Sequence, residues 1–100
     1  MIGSAVIDIG GETGALVVYA DGCLEGKEVE IAGPAGVGGV SHNVVRARSA
    51  PSGVVFAAVF PSVVAGDYRL VEREGISFTA FSVRGGTVAE VDCRSNRLSP

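Results

Sequence analysis

The most regular stretch of the chain is Lys27-Glu28-Val29-Glu30-Ile31, where charged and branched apolar residues alternate one by one. Successive side chains of a strand point to opposite faces, so Val29 and Ile31 are expected inward, with Glu28 and Glu30 in water. Gly14 to Ala20 is instead almost wholly apolar, the pattern of a central strand covered on both faces. Ser41 to Arg48 predicts one strand with Val45 and Ala47 inward and Arg46 and Arg48 outward. Val54 to Phe60 is expected to return antiparallel to it after a loop at Ser49-Ala50-Pro51-Ser52-Gly53. Ser4–Ile9, Gly66–Val71, Ile76–Val83 and Thr87–Cys93 predict further strands, the last with Ala89, Val91 and Cys93 set against Glu90 and Asp92. Gly10-Gly11, Asp21-Gly22, Glu72-Arg73-Glu74-Gly75 and Arg84-Gly85-Gly86 supply turns, and the Gly- and Pro-rich stretch from Ala32 to Val40 predicts a loop. Short strands separated by turns imply an all-β fold, a seven- or eight-stranded antiparallel Greek-key β-sandwich. One domain is expected over residues 1–100, its core at about 4–93 and a frayed tail at 94–100.

Composition agrees with this pattern. Apolar residues make up 47% of the 100 positions, enough for one modest core. The net charge is −3, with a single lysine and scattered arginines, so a basic surface for nucleic acid is excluded as an expectation. No apolar run is long enough for a membrane span. The first residues lack the cationic start and continuous apolar core of a secretion signal, which points to the cytoplasm. Cys23 and Cys93 are expected as reduced thiols; neither belongs to a Cys-x-x-Cys pair, and the one histidine cannot complete a zinc site. No metal and no cofactor is expected.

The stretch Val54 to Leu70 organises the rest: a buried strand, a corner with Pro61 and Gly66 at its two ends, then a strand carrying Tyr68. Tyr68 is expected as a core anchor whose hydroxyl finds a nearby backbone partner. Phe60-Pro61-Ser62-Val63-Val64-Ala65-Gly66-Asp67-Tyr68-Arg69-Leu70 resembles the corner segment of transthyretin-like sandwiches, which include Cna-B repeats and the regulatory domain of carboxypeptidases. Lys27–Ile31 and Gly86–Asp92 resemble an earlier exposed strand and the final strand of that fold. The chain is also similar to a group of small actinobacterial proteins, through Gly14–Tyr19, His42–Arg48 and Ala57–Ser62. The first resemblance implies a transthyretin-like fold with adhesion, accessory packing or binding between subunits as its use. The second carries a phospholipase label, and so implies a small esterase or phospholipase-like hydrolase as the rival.

For a hydrolase, the candidate base is His42, with Ser62 as nucleophile and one of Glu28, Glu30 or Asp92 as the carboxylate. Ser41 is not the natural partner, because neighbours on a strand point oppositely. Glu25, Glu28, Glu30 and Asp92 lack the spacing of a calcium loop and are expected as solvated surface. For a binding module, Arg46 and Arg48 share one face, and Phe56, Phe60 and Phe81 are expected on a second apolar face, opposite Val55, Val59, Phe78 and Ala80 in the core. Apolar residues on both faces of several strands predict self-association, as a homodimer through a sheet face or edge, or an unknown protein partner.

Overall fold

The computed structural model describes residues 11–33, 40–73, 75–77 and 79–94. The strand expected over Ser4–Ile9, the middle of the Gly-rich loop, Phe78 and all of the tail beyond Arg94 lie outside them. Eight strands are described: β1 (Thr13–Tyr19), β2 (Glu28–Ala32), β3 (Val40–Val44), β4 (Arg46–Ala50), β5 (Gly53–Val64), β6 (Gly66–Leu70), β7 (Thr79–Val83) and β8 (Val88–Asp92). They form two four-stranded sheets, ordered β4-β5-β1-β8 and β3-β2-β6-β7. The chain alternates between them: β1 in the first, β2 and β3 in the second, β4 and β5 back in the first, β6 and β7 in the second, and β8 in the first. The all-β expectation holds, and β1 is central, as its unbroken apolar sequence requires.

One pairing corrects the expectation of a wholly antiparallel sandwich. β8 runs parallel to β1, with Ala15 opposite Val88 and Tyr19 opposite Asp92. Both strands enter the first sheet from the same end. There the Ala15 N–H donates to the Thr87 carbonyl at 3.0 Å, and the Gly86 N–H to the Thr13 carbonyl at 2.8 Å.

A second correction concerns Ser41–Arg48, which is two strands rather than one. Val45 belongs to neither and carries the chain from the second sheet to the first. Its N–H donates to the Lys27 carbonyl at 2.9 Å, and its carbonyl accepts from the Gly26 N–H at 2.8 Å. With its polar groups satisfied and its side chain fully buried, Val45 is inward as expected. Ala47, paired with Phe56, faces the same way, but on an edge strand it is exposed. Asn43, two residues before Val45, ties the sheets together, its Nδ2 donating to the Val59 carbonyl at 2.9 Å.

β5 also runs further than its sequence suggests, through Pro61 to Val64. Proline cannot donate to a sheet ladder and belongs at edges and bulges. Here Leu16 pairs with Phe60 but Gly14 with Val63, so the extra residue of a bulge falls at Pro61-Ser62. The strand bends there and, after Ala65, becomes β6 of the other sheet.

The main core gathers Leu16 and Val18 of β1, Val29 and Ile31 of β2, Ala58, Phe60 and Val63 of β5, and Tyr68 and Leu70 of β6. Every described residue buried in it is apolar or aromatic. Val91 is buried there, and Ala89 and Cys93 pack beside it, which is the alternation expected for β8. The aromatic faces are the reverse of those expected. Phe60 is 4% exposed inside the core, and Phe56 and Phe81 pack against it, while Val59 and Val55 belong to a smaller cluster with Val17 and Ala57. The bulge and the sheet switch set this parity: Phe56, Ala58 and Phe60 share the face that looks at the second sheet.

Tyr68 is 6% exposed, and its hydroxyl donates to the Val64 carbonyl at 2.6 Å, closing the corner between β5 and β6. Burial raises its pKa above the ordinary tyrosine range. Tyr68→Phe is expected to cost about 1.5 kcal/mol in chemical denaturation, through the lost bond and the unpaired carbonyl. The folded state holds the phenolic proton more tightly than the unfolded one, so stability falls as pH rises above about 10. That alkaline decline is expected to be smaller in Tyr68→Phe.

Candidate functional site

In the β2–β3 pair, Glu30 lies opposite His42 and Glu28 opposite Val44. Since Val29 and Ile31 point into the core, Glu28, Glu30 and His42 stand on the outer face of the second sheet. His42 Nδ1 is 3.2 Å from Glu28 Oε2, with the two side chains 63% and 50% exposed. Glu30 is ion-paired with Arg73. A carboxylate on the Nδ1 side of an imidazole is the orienting half of a triad, and it leaves Nε2 for a nucleophile.

The expected nucleophile is elsewhere. Ser62 is exposed on β5, in the first sheet. Asn43 reaches from β3 to the Val59 carbonyl of that sheet, so its neighbour His42 points away from it. Of the proposed trio the structure brings together His42 and Glu28, and leaves Ser62 on the other side of the sandwich. Asp92 is also in the first sheet, held by Arg94 through Nε to Oδ1 at 2.9 Å and Nη2 to Oδ2 at 2.8 Å. Among known protein families, curated proteins and solved structures, none matches this chain.

Arg46 and Arg48 do share the outer face of the first sheet, opposite Ala57 and Val55. They are not equivalent. Arg46 is exposed, whereas Arg48 is half-buried and its Nε donates to the Ala57 carbonyl at 3.0 Å. Burial, then the charge of Arg46, lowers the Arg48 pKa. Phe56, Phe60 and Phe81, assigned to a binding surface in the sequence, spend their rings on the core instead.

A cluster that the sequence did not reveal lies on the same outer face. The Arg94 guanidinium sits 5.2 Å from the centroid of the Tyr19 ring. Burial and then the neighbouring Glu90 raise the Tyr19 pKa, while the hydrogen bond that Arg94 donates to Asp92 raises that of Arg94. Tyr19, Pro51, Ser52, Val55, Glu90 and Arg94 line an open depression of about 440 Å³. The sequence signal was slight: Tyr19 breaks an aliphatic run, and Asp92-x-Arg94 has the spacing of two residues on one strand face. A second depression, of about 500 Å³, is lined by Cys23, Leu24, Lys27, Glu28 and Arg73. Cys23 is exposed and Cys93 half-buried. Among the described residues no three His, Cys, Asp or Glu side chains converge as metal ligands, and no helix is long and apolar enough to cross a membrane.

Proposed function

We propose that this chain is a non-enzymatic interaction module, a Greek-key sandwich of transthyretin-like character that works in the cytoplasm by associating with itself through a sheet face or edge. The observation that carries the reading is the separation of His42 from Ser62, on different sheets and facing apart, which leaves the one imidazole without the serine a hydrolase would need. The two stacked sheets support the fold assignment. The reversal of the aromatic faces narrows the interaction surface. Phe60 is enclosed, and Val17, Ala57 and Val59 are already buried within a single chain. What remains for a partner is a strand edge rather than the broad apolar face.

The rival reading, a small hydrolase, keeps one favourable observation, the His42–Glu28 contact. Purified protein assayed against short- and long-chain nitrophenyl esters is expected to show no hydrolysis above buffer. Turnover that disappears in His42→Ala would replace the proposal with the hydrolase. Light scattering across a concentration series is expected to show reversible association, and a constant 10.1 kDa species at every concentration would defeat it.

A further inference from the structure

We propose that the depression beside Lys27 binds a small organic acid, a carboxylate carried on a short branched apolar body. It lies at the end of the second sheet where β2 begins and the chain leaves β6. Cys23, Leu24, Lys27, Glu28 and Arg73 line its volume of about 500 Å³, a size within the range of small-molecule sites. One chain supplies every lining residue, so the site does not depend on self-association.

Backbone bonds hold both walls. The Leu24 N–H donates to the Asp21 carbonyl and the Lys27 N–H to the Leu24 carbonyl, each at 2.9 Å, which closes the turn on itself. Opposite, Arg73 and Ile76 exchange two backbone bonds, at 3.0 and 2.8 Å. The walls meet at the floor: a β-carbon added to Gly75 would stand 2.9 Å from both Leu24 methyl carbons. Leu24 is buried and belongs to the main core, so the floor is apolar and anchored.

Charge selects what can enter. Arg73 is ion-paired with Glu30, but a guanidinium has five N–H donors and one carboxylate does not exhaust them. Lys27, the one lysine of the chain, makes no ion pair among the described residues. Glu28 is the single anion of the lining, and its carboxylate is 3.2 Å from His42. A carboxylate would pair with the Lys27 ammonium and take further Arg73 donors through charge-assisted bonds. An amine would meet two like charges. The depression at Tyr19 differs, because there Asp92 binds Arg94 through two bonds and Glu90 accepts from Tyr19. The apolar body would rest on Leu24 and on the Cys23 sulfur, which packs as a small hydrophobe. An open site with one new ion pair implies weak binding, with a dissociation constant of about 1 mM.

Amide shifts of isotope-labelled wild type, followed during titration with isovalerate at constant ionic strength, are expected to move saturably at Cys23–Glu28 and Arg73. Isovaleramide keeps the shape without the charge, and acetate keeps the charge without the apolar body. Each is expected to bind about tenfold more weakly than isovalerate. Lys27→Gln is expected to weaken isovalerate about tenfold, whereas Arg46→Gln, in the other sheet, leaves it unchanged. Both positions are exposed, and each variant's own amide spectrum shows whether it folds. Should Lys27→Gln fold poorly, the comparison of the three probes on wild type decides. Equal binding of isovalerate and isovaleramide, full affinity in folded Lys27→Gln, or no saturable shift up to about 50 mM overturns the site. None of these outcomes touches the light-scattering test of self-association.

Discussion

Gly14→Ala is expected to be among the most damaging single substitutions in the chain, costing about 3 kcal/mol or more by overpacking. A β-carbon at this position would stand in steric conflict with the Arg84 carbonyl oxygen and 2.8 Å from both the Thr87 carbonyl oxygen and Val83 Cγ1. Two of these neighbours are backbone atoms of the turn that delivers β8 to β1, and a backbone cannot rotate out of the way like a side chain. Relief would require that turn to shift, stretching the Ala15 N–H bond to Thr87 by which the parallel pairing begins. At about 4–8 °C per kcal/mol for a domain of this size, the expected loss in melting temperature is well over 10 °C. Thermal unfolding followed by circular dichroism checks it, and a melting temperature within a few degrees of wild type would mean that the turn yields.

Leu70→Ala is the counterpart in the core. Leu70 is fully buried on β6, the strand that lies between β2 and β7, and it pairs with Ile31 on one side and Thr79 on the other. Removing a buried leucine side chain to its β-carbon loses transfer energy and leaves a cavity, a cost of about 2–5 kcal/mol. The upper half of that range is expected here, because paired strands hold the surroundings on both sides and the gap has little freedom to collapse. Urea denaturation should show a lowered midpoint with an unchanged slope. A matching Leu70→Met variant is expected to lose under about 1.5 kcal/mol, since it keeps the volume.

The sheets were legible in the sequence wherever one face meets water. β2 and β8 alternate cleanly, so the inward positions of Val29, Ile31 and Val91 could be read from their neighbours. β5 was not legible in the same way, because Val54 to Phe60 is apolar at every position and alternation carries no phase there. Parity then depends on the register with β1 and on the bulge at Pro61-Ser62, both long-range facts. That is why Phe56 and Phe60 were assigned to the wrong face. The break in the strand at Val45 was hidden for a related reason. A residue that switches sheets looks locally like one more position of a continuous strand, and the Lys27 and Gly26 backbone groups that hold it are remote in sequence.

The candidate site divides along the same line. Adjacent strands put His42 beside Glu28, a contact that local pairing could suggest. The distance of Ser62 from that pair was set by which sheet each strand joins, which the local pattern does not encode. The Tyr19–Arg94 stack was hidden for the same reason, since it rests on the parallel pairing that sets Tyr19 beside Asp92.

That parallel pairing also fixes a timetable. β1 is the first strand described and β8 the last, yet β1 is central and needs β8 to cover its open side. During synthesis β1 must wait for that partner until Val88–Asp92 has emerged, and no fragment ending before it can complete the first sheet. Contacts this distant in sequence are expensive in loop-closure entropy and form late, which places folding in the millisecond-to-second range of non-local β topologies. The nascent chain is therefore most vulnerable to mispairing just before residues 88–92 arrive, when β1 still lacks that partner.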